Sequence, residues 1–115
     1  MSLSEFELKR TKKLVAAFVE KHRPEKHIRQ NVDLSFRQEG QSVEIFEIRP
    51  VWNNPKEKIE ISIAKATYVK SRQCWRIFWQ RSDLKWHRYE ASPEVRLVED
   101  FLELVDRDEY GCFFG

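Results

Sequence analysis

A single α+β domain over residues 1–115 is the fold class this sequence predicts: an N-terminal helix, a four- to five-stranded antiparallel sheet, a C-terminal helix packed on the sheet, and a docked aromatic tail. Three observations predict it. Apolar residues recur at helical spacing near each end, they recur with a period near two in short runs between residues 31 and 89, and a length of 115 residues holds one hydrophobic core without room for a second. A hydrophobic fraction of 41 % and an aromatic fraction of 13 % supply the large apolar surface that such a core needs and a disordered chain lacks.

The first helix starts at Ser4, which stands three residues before Glu7 in the spacing of a capping box. Leu8, Thr11, Leu14, Val15, Phe18 and His22 follow at three- and four-residue intervals and face the core. Pro24 disfavours helical geometry in Arg23 and ends the helix there. Lys9, Arg10, Lys12 and Lys13 make its outer face basic near the amino end, where cations gain nothing from the helix dipole.

The period then drops to two. Val32, Leu34 and Phe36 alternate with Asp33, Ser35 and Arg37, and Glu39-Gly40-Gln41 supplies a turn. Val43 and Ile45 on one side, with Phe46 and Ile48 among the residues of the other, make a second strand apolar on both faces and therefore interior to the sheet. Arg49 to Pro55, with two prolines and paired Asn53 and Asn54, reads as a loop, and Trp52 within it as a plug over the edge of the core. Ile59, Ile61 and Ile63 mark a third strand that runs on to Tyr68 or Val69. After a turn at Ser71-Arg72-Gln73, residues 74 to 81 form a fourth, with Trp75, Ile77 and Trp79 on one side and Cys74, Arg76, Phe78 and Gln80 on the other. Ser82-Asp83 turns the chain into a short fifth strand, Lys85 to Tyr89. Strands joined without intervening helices favour antiparallel hairpins.

Ser92-Pro93-Glu94 reads as the second helix start: an N-cap serine, proline at the first helical position and an acid in the first turn. Leu97, Val98, Phe101, Leu102 and Val105 form its apolar stripe, which places both helices on one face of the sheet, and residues 106 to 109 close it. Chain ends are normally polar, yet Phe113 and Phe114 stand near this one. The tail is expected to dock into a groove on the domain, with a homodimer contact as the alternative.

Net charge is only +2, but it is unevenly spread. Residues 56 to 88 carry nine Lys or Arg against three acids, and residues 90 to 109 carry eight acids against two arginines. One consequence is a basic surface that attracts an anion; the plainer one is an acidic helix that lies near the basic sheet and neutralises it. No run reaches the roughly 18 apolar residues of a membrane helix, and the start MSLSEFELKR lacks the apolar run of a signal peptide. A cytoplasmic protein without a membrane partner is expected, with Cys74 and Cys112 as reduced thiols.

Arg49-Pro50-x-Trp52, Ala64-Lys65-x-Thr67-Tyr68-Val69-Lys70-Ser71, Trp75-x3-Trp79, Asp83-Leu84-Lys85-Trp86-His87-x-Tyr89 and the closing Gly111-Cys112-Phe113-Phe114-Gly115 follow one another in order. On these motifs the chain, from about residue 5 to 115, resembles an uncharacterised bacterial family, domain of unknown function 3024. The resemblance implies small stand-alone proteins of unassigned activity, with no catalytic residue to carry over.

The strongest chemical signal is the interleaving of cations and aromatics between residues 65 and 89. Exposed aromatics on a sheet stack on bases while neighbouring cations hold phosphates, so Lys70, Arg72, Arg76, Arg81, Lys85, Arg88, Trp86 and Tyr89 form the candidate nucleic-acid or polyanion site. The competing reading makes the aromatics core and the cations an ordinary solvated face. Three further readings are weaker. The helix-strands-helix order is similar to double-stranded RNA-binding domains, but an acidic second helix would repel phosphate. Asp83-x-Lys85 has the spacing of a metal-dependent nuclease triplet, with Glu20, Asp33, Glu44 or Glu47 as partners, although it sits in a tight turn. His22, His27, His87, Cys74 and Cys112 lack the paired spacing of a zinc site. The absence of a glycine-rich phosphate loop disfavours nucleotide chemistry, and no cofactor is expected. Trp52, Phe113 and Phe114 suit a protein-interaction module, since aromatics dominate interface hot spots.

Overall fold

Alternating strands in direct succession pair as consecutive hairpins, and the computed structural model shows that arrangement over the described residues 3–114. Met1, Ser2 and Gly115, the last of which closes the predicted tail, lie outside the described residues. Helix α1 (Glu5–His22) precedes strands β1 (Asp33–Glu39), β2 (Ser42–Val51) and β3 (Asn54–Val69). A short 3-10 turn (Lys70–Arg72) leads to β4 (Cys74–Gln80), β5 (Trp86–Arg88), β6 (Glu94–Val95) and helix α2 (Val98–Arg107). The sheet is antiparallel in the order β1-β2-β3-β4-β5, with β6 pairing to β4.

One core draws on both helices and one face of the sheet. Val15 and Val19 of α1 and Val98, Phe101, Leu102 and Val105 of α2 cluster with Leu34, Val43, Ile45, Ala64, Ala66, Trp75 and Ile77. Ser4 caps α1 as expected: its hydroxyl accepts the Glu7 N–H at 3.1 Å while the Glu7 carboxylate reaches back to the Ser4 N–H. The tail docks. Phe113 is buried with its ring centroid 4.9 Å from that of Tyr89, and the Asp108 carboxylate accepts the N–H groups of Phe113 and Phe114 at 2.9 and 2.8 Å.

The stretch from Arg49 to Pro55 is strand, not loop. β2 continues through Pro50 to Val51 and β3 begins at Asn54, so only Trp52 and Asn53 turn. The pairing shifts between Pro50 and Val51, and a bulge is where a strand accommodates a residue that cannot donate to the ladder. The resulting hairpin arm, exposed throughout residues 52–60, carries Trp52 at its tip at 92 % exposure. Trp52 is thus no plug over the core.

Ser92-Pro93-Glu94 does not start the second helix. Beyond β5 the edge of β4 still has unpaired backbone groups, and these must be satisfied: the Ile77 N–H donates to the Pro93 carbonyl at 3.0 Å, and Glu94 pairs with Arg76. The helix starts at Val98 instead, where the Asp100 carboxylate accepts the Leu97 N–H at 3.3 Å. The fifth strand is also shorter than predicted, because Tyr89 leaves the ladder and turns into the core, where it is 3 % exposed.

The acidic end divides between the first helix and the basic segment. On α2, Glu99 binds Arg10 and Asp106 lies 3.2 Å from His22, while ahead of α2 Glu94 binds Arg72 and Glu90 lies 3.6 Å from Arg88. Both helices share one side of the sheet, while the basic strand residues point to the other.

Candidate functional site

Strand alternation sends Arg76, Phe78 and Gln80 of β4 away from the helices, and the pairing register aligns them with residues of like parity on the neighbouring strands. Arg37, Glu44, Lys65, Phe78 and Arg88 form one row across β1 to β5. Ser42, Thr67, Arg76 and Glu94 form the next, across β2, β3, β4 and β6. Among the described residues no helix covers these rows. The Lys65 ammonium sits 5.3 Å from the Phe78 ring centroid and 4.8 Å from that of Trp86. A cation over an aromatic face contributes about 0.5–1 kcal/mol at exposed sites, so this contact fixes the lysine without neutralising it. Among the described residues neither Lys65 nor Arg76 has a carboxylate within 4.0 Å.

Arg72 behaves differently. Its Nε and Nη2 donate to the two Glu94 oxygens at 2.6 and 2.8 Å, and the Cys74 thiol lies 2.9 Å from Oε2. The guanidinium, then the thiol, hold the Glu94 carboxyl down at about 2. Burial, with the adjacent Glu94, pushes the Cys74 thiol up, which leaves it protonated and unreactive at neutral pH. Arg88 lies 3.6 Å from Glu90 in a solvent-exposed pair, worth little in water.

The uncovered face therefore collects Arg72, Arg76, Arg88 and Trp86 of the predicted residues. Lys70 and Lys85 are exposed in the turns at either end of β4. Arg81 belongs elsewhere: its guanidinium lies 5.5 Å over Trp79, beside a cavity of about 370 Å³ between the tail and the β4–β5 hairpin, near Tyr110 and Cys112. Tyr89 is core beneath Phe113 and offers no ring face to a base. Lys65 was absent from the predicted set. Its signal was parity, since it stands between the buried Ala64 and Ala66 and must point to the opposite face.

The nuclease triplet is spent on its turn. Asp83 accepts the Lys85 N–H at 2.9 Å and meets His87 Nε2 at 2.8 Å, and the Lys85 N–H first, His87 second, hold its carboxyl low. Asp33 is bound by Arg23 at 3.0 and 2.9 Å. Among the described residues no group of three or more His, Cys, Asp or Glu is placed to hold a metal ion, and no helix is long and apolar enough to cross a membrane.

Residues 3–115 match the family model described as Domain of unknown function (DUF3024), and the chain belongs to that family. No curated protein and no solved structure matches it.

Proposed function

We propose that this member of the family binds nucleic acid through the β4–β5 half of its uncovered sheet face. The observation that carries the reading is the placement of Lys65 and Arg76, two cations with no carboxylate within 4.0 Å among the described residues, beside Phe78 and Trp86 on the face away from the helices. Lys65, Arg76 and Arg88 contact phosphates, and the exposed part of Trp86 stacks on a base. Lys85 and Lys70 extend the positive surface at its ends. The reading takes the chain as one domain, supported by a core shared between both helices and the sheet. A cytoplasmic location fits its two free thiols.

Fluorescence anisotropy against labelled single- and double-stranded DNA and RNA tests this reading. A footprint of about three cations predicts a single-strand affinity that falls roughly twentyfold between about 50 and 200 mM salt. Arg76→Ala and Lys65→Ala are expected to weaken binding severalfold with an unchanged melting temperature. Absence of binding at low salt, or unchanged affinity in both variants, overturns the reading.

A second reading has its own observation. Trp52 at the arm tip, with Ile59 and Ile61 exposed along β3, is the kind of aromatic and apolar surface that anchors a protein partner.

A further inference from the structure

We infer that the recess where β5 gives way to β6 is a site for a terminal phosphate monoester, so that the protein prefers the phosphorylated end of a strand to its interior. This rests on the nucleic-acid reading and specifies it. β5 stops at Arg88, and the chain leaves and returns across β4 through two backbone bonds, Tyr89 N–H to the Ile77 carbonyl at 2.9 Å and Ile77 N–H to the Pro93 carbonyl at 3.0 Å. Arg88 and Glu94 flank that interruption. Arg76 pairs with Glu94 from β4, and Arg72 reaches in from the 3-10 turn. The result is a recess of about 340 Å³ lined by Arg72, Arg76, Arg88, Pro93 and Glu94.

Its charge selects the ligand. Three guanidiniums against one carboxylate leave a surplus of two positive charges, which a phosphate monoester satisfies as a dianion and an internal phosphodiester only half satisfies. Planar guanidinium forks match phosphate oxygens in paired hydrogen bonds. Glu94 takes the Arg72 fork with both its oxygens, Oε2 also meeting the Cys74 thiol, and leaves the Arg76 and Arg88 forks to a ligand. The carboxylate holds Arg72 in place as a wall of the recess. Arg76 has no carboxylate within 4.0 Å among the described residues, and Arg88 has only its exposed contact with Glu90. Both are open to a ligand.

The test uses internally labelled single strands of one sequence that carry a 5′-phosphate, a 3′-phosphate or hydroxyls at both ends. One phosphorylated form is expected to bind about tenfold more tightly than the hydroxyl-ended strand. Since the second phosphate ionisation lies near pH 6, that preference is expected to shrink as the pH falls from about 7.5 to 5.5. Inorganic phosphate is expected to compete it away before it displaces the hydroxyl-ended strand. Arg88→Ala should weaken all three strands and bring them to one affinity, and Arg88→Lys, which keeps the charge but loses the fork, should reduce the preference. Equal binding of all three strands overturns this inference and leaves the uncovered face as a nucleic-acid surface; binding of none overturns both.

Discussion

The uncovered face holds two cations over aromatic rings, and their neighbours separate them. Arg37 lies 4.4 Å from the Phe46 centroid, is bound by Glu60 and has Glu44 at 3.8 Å; Glu60 first among them pushes its guanidinium still further toward the charged form. Lys65 lies over Phe78 and Trp86, with Glu44 opposite it on β2 but no carboxylate within 4.0 Å among the described residues. Phe46 is 5 % exposed, whereas Phe78 and Trp86 are half-buried. The same contact is thus a sealed lid on the β1–β2 half and an open charge on the β4–β5 half. What distinguishes structure from candidate site is the local balance of carboxylates, not the cation–aromatic pair.

That distinction predicts unequal stability costs. Phe46→Ala removes a buried ring from beneath a fixed guanidinium and is expected to cost about 3–5 kcal/mol in denaturant unfolding. Phe78→Ala removes a ring that water already reaches and should cost roughly half as much. Equal losses would mean that Phe78 is as structural as Phe46, and would remove the reason for treating the second half as a surface.

A smaller effect concerns Glu94, the carboxylate clamped by Arg72 in the β4–β5 half. Glu94 is held at about 2 in the folded protein against 4.5 ordinarily, so its contribution is complete above pH 4.5 and is lost as the pH falls toward 2. Acid titration of the Glu94→Gln variant is expected to show a lower midpoint at pH 7 and a shallower decline across that window than the parent protein. A decline of unchanged slope would show that the Arg72 clamp contributes nothing to stability.

Much of the fold was legible because it was written locally. Ser4 and Glu7 cap α1 through a contact three residues long, and the alternation from Trp75 to Trp79 fixed the faces of β4 without knowledge of any partner. The misreadings came where a local signal met an unpaired strand edge. Pro93 has the chemistry of a helix start, yet β4 offered its carbonyl the Ile77 N–H, and a sheet partner more than a dozen residues away outweighed the capping preference. Pro50 and Pro55 read as loop because proline cannot donate to a ladder, but a bulged arm leaves groups for which no donor is needed. The candidate site was legible in composition and not in membership. Tyr89 and Trp86 are three residues apart in one aromatic segment, and only the end of β5 between them decides that one ring enters the core.

The comparison sharpens most if one half is converted into the other. Glu44→Gln with Glu60→Gln leaves Arg37 over Phe46 and keeps amide oxygens for Ser62 and Arg37 to donate to, so the fold loses only exposed or partly exposed ion pairs, each worth roughly 0–1 kcal/mol. The row from Arg37 to Arg88 then carries cations at both ends and at Lys65, with no acid between. If a strand lies along that row, the variant gains about one phosphate contact, and single-strand affinity at low salt should rise roughly threefold with a steeper salt dependence. If the strand runs instead along β4, from the Arg72 end toward Lys85, the added charge lies off its path and the affinity stays within error of the parent. The first outcome extends the site across the whole sheet; the second confines it to the half where the sequence placed its interleaved cations and rings.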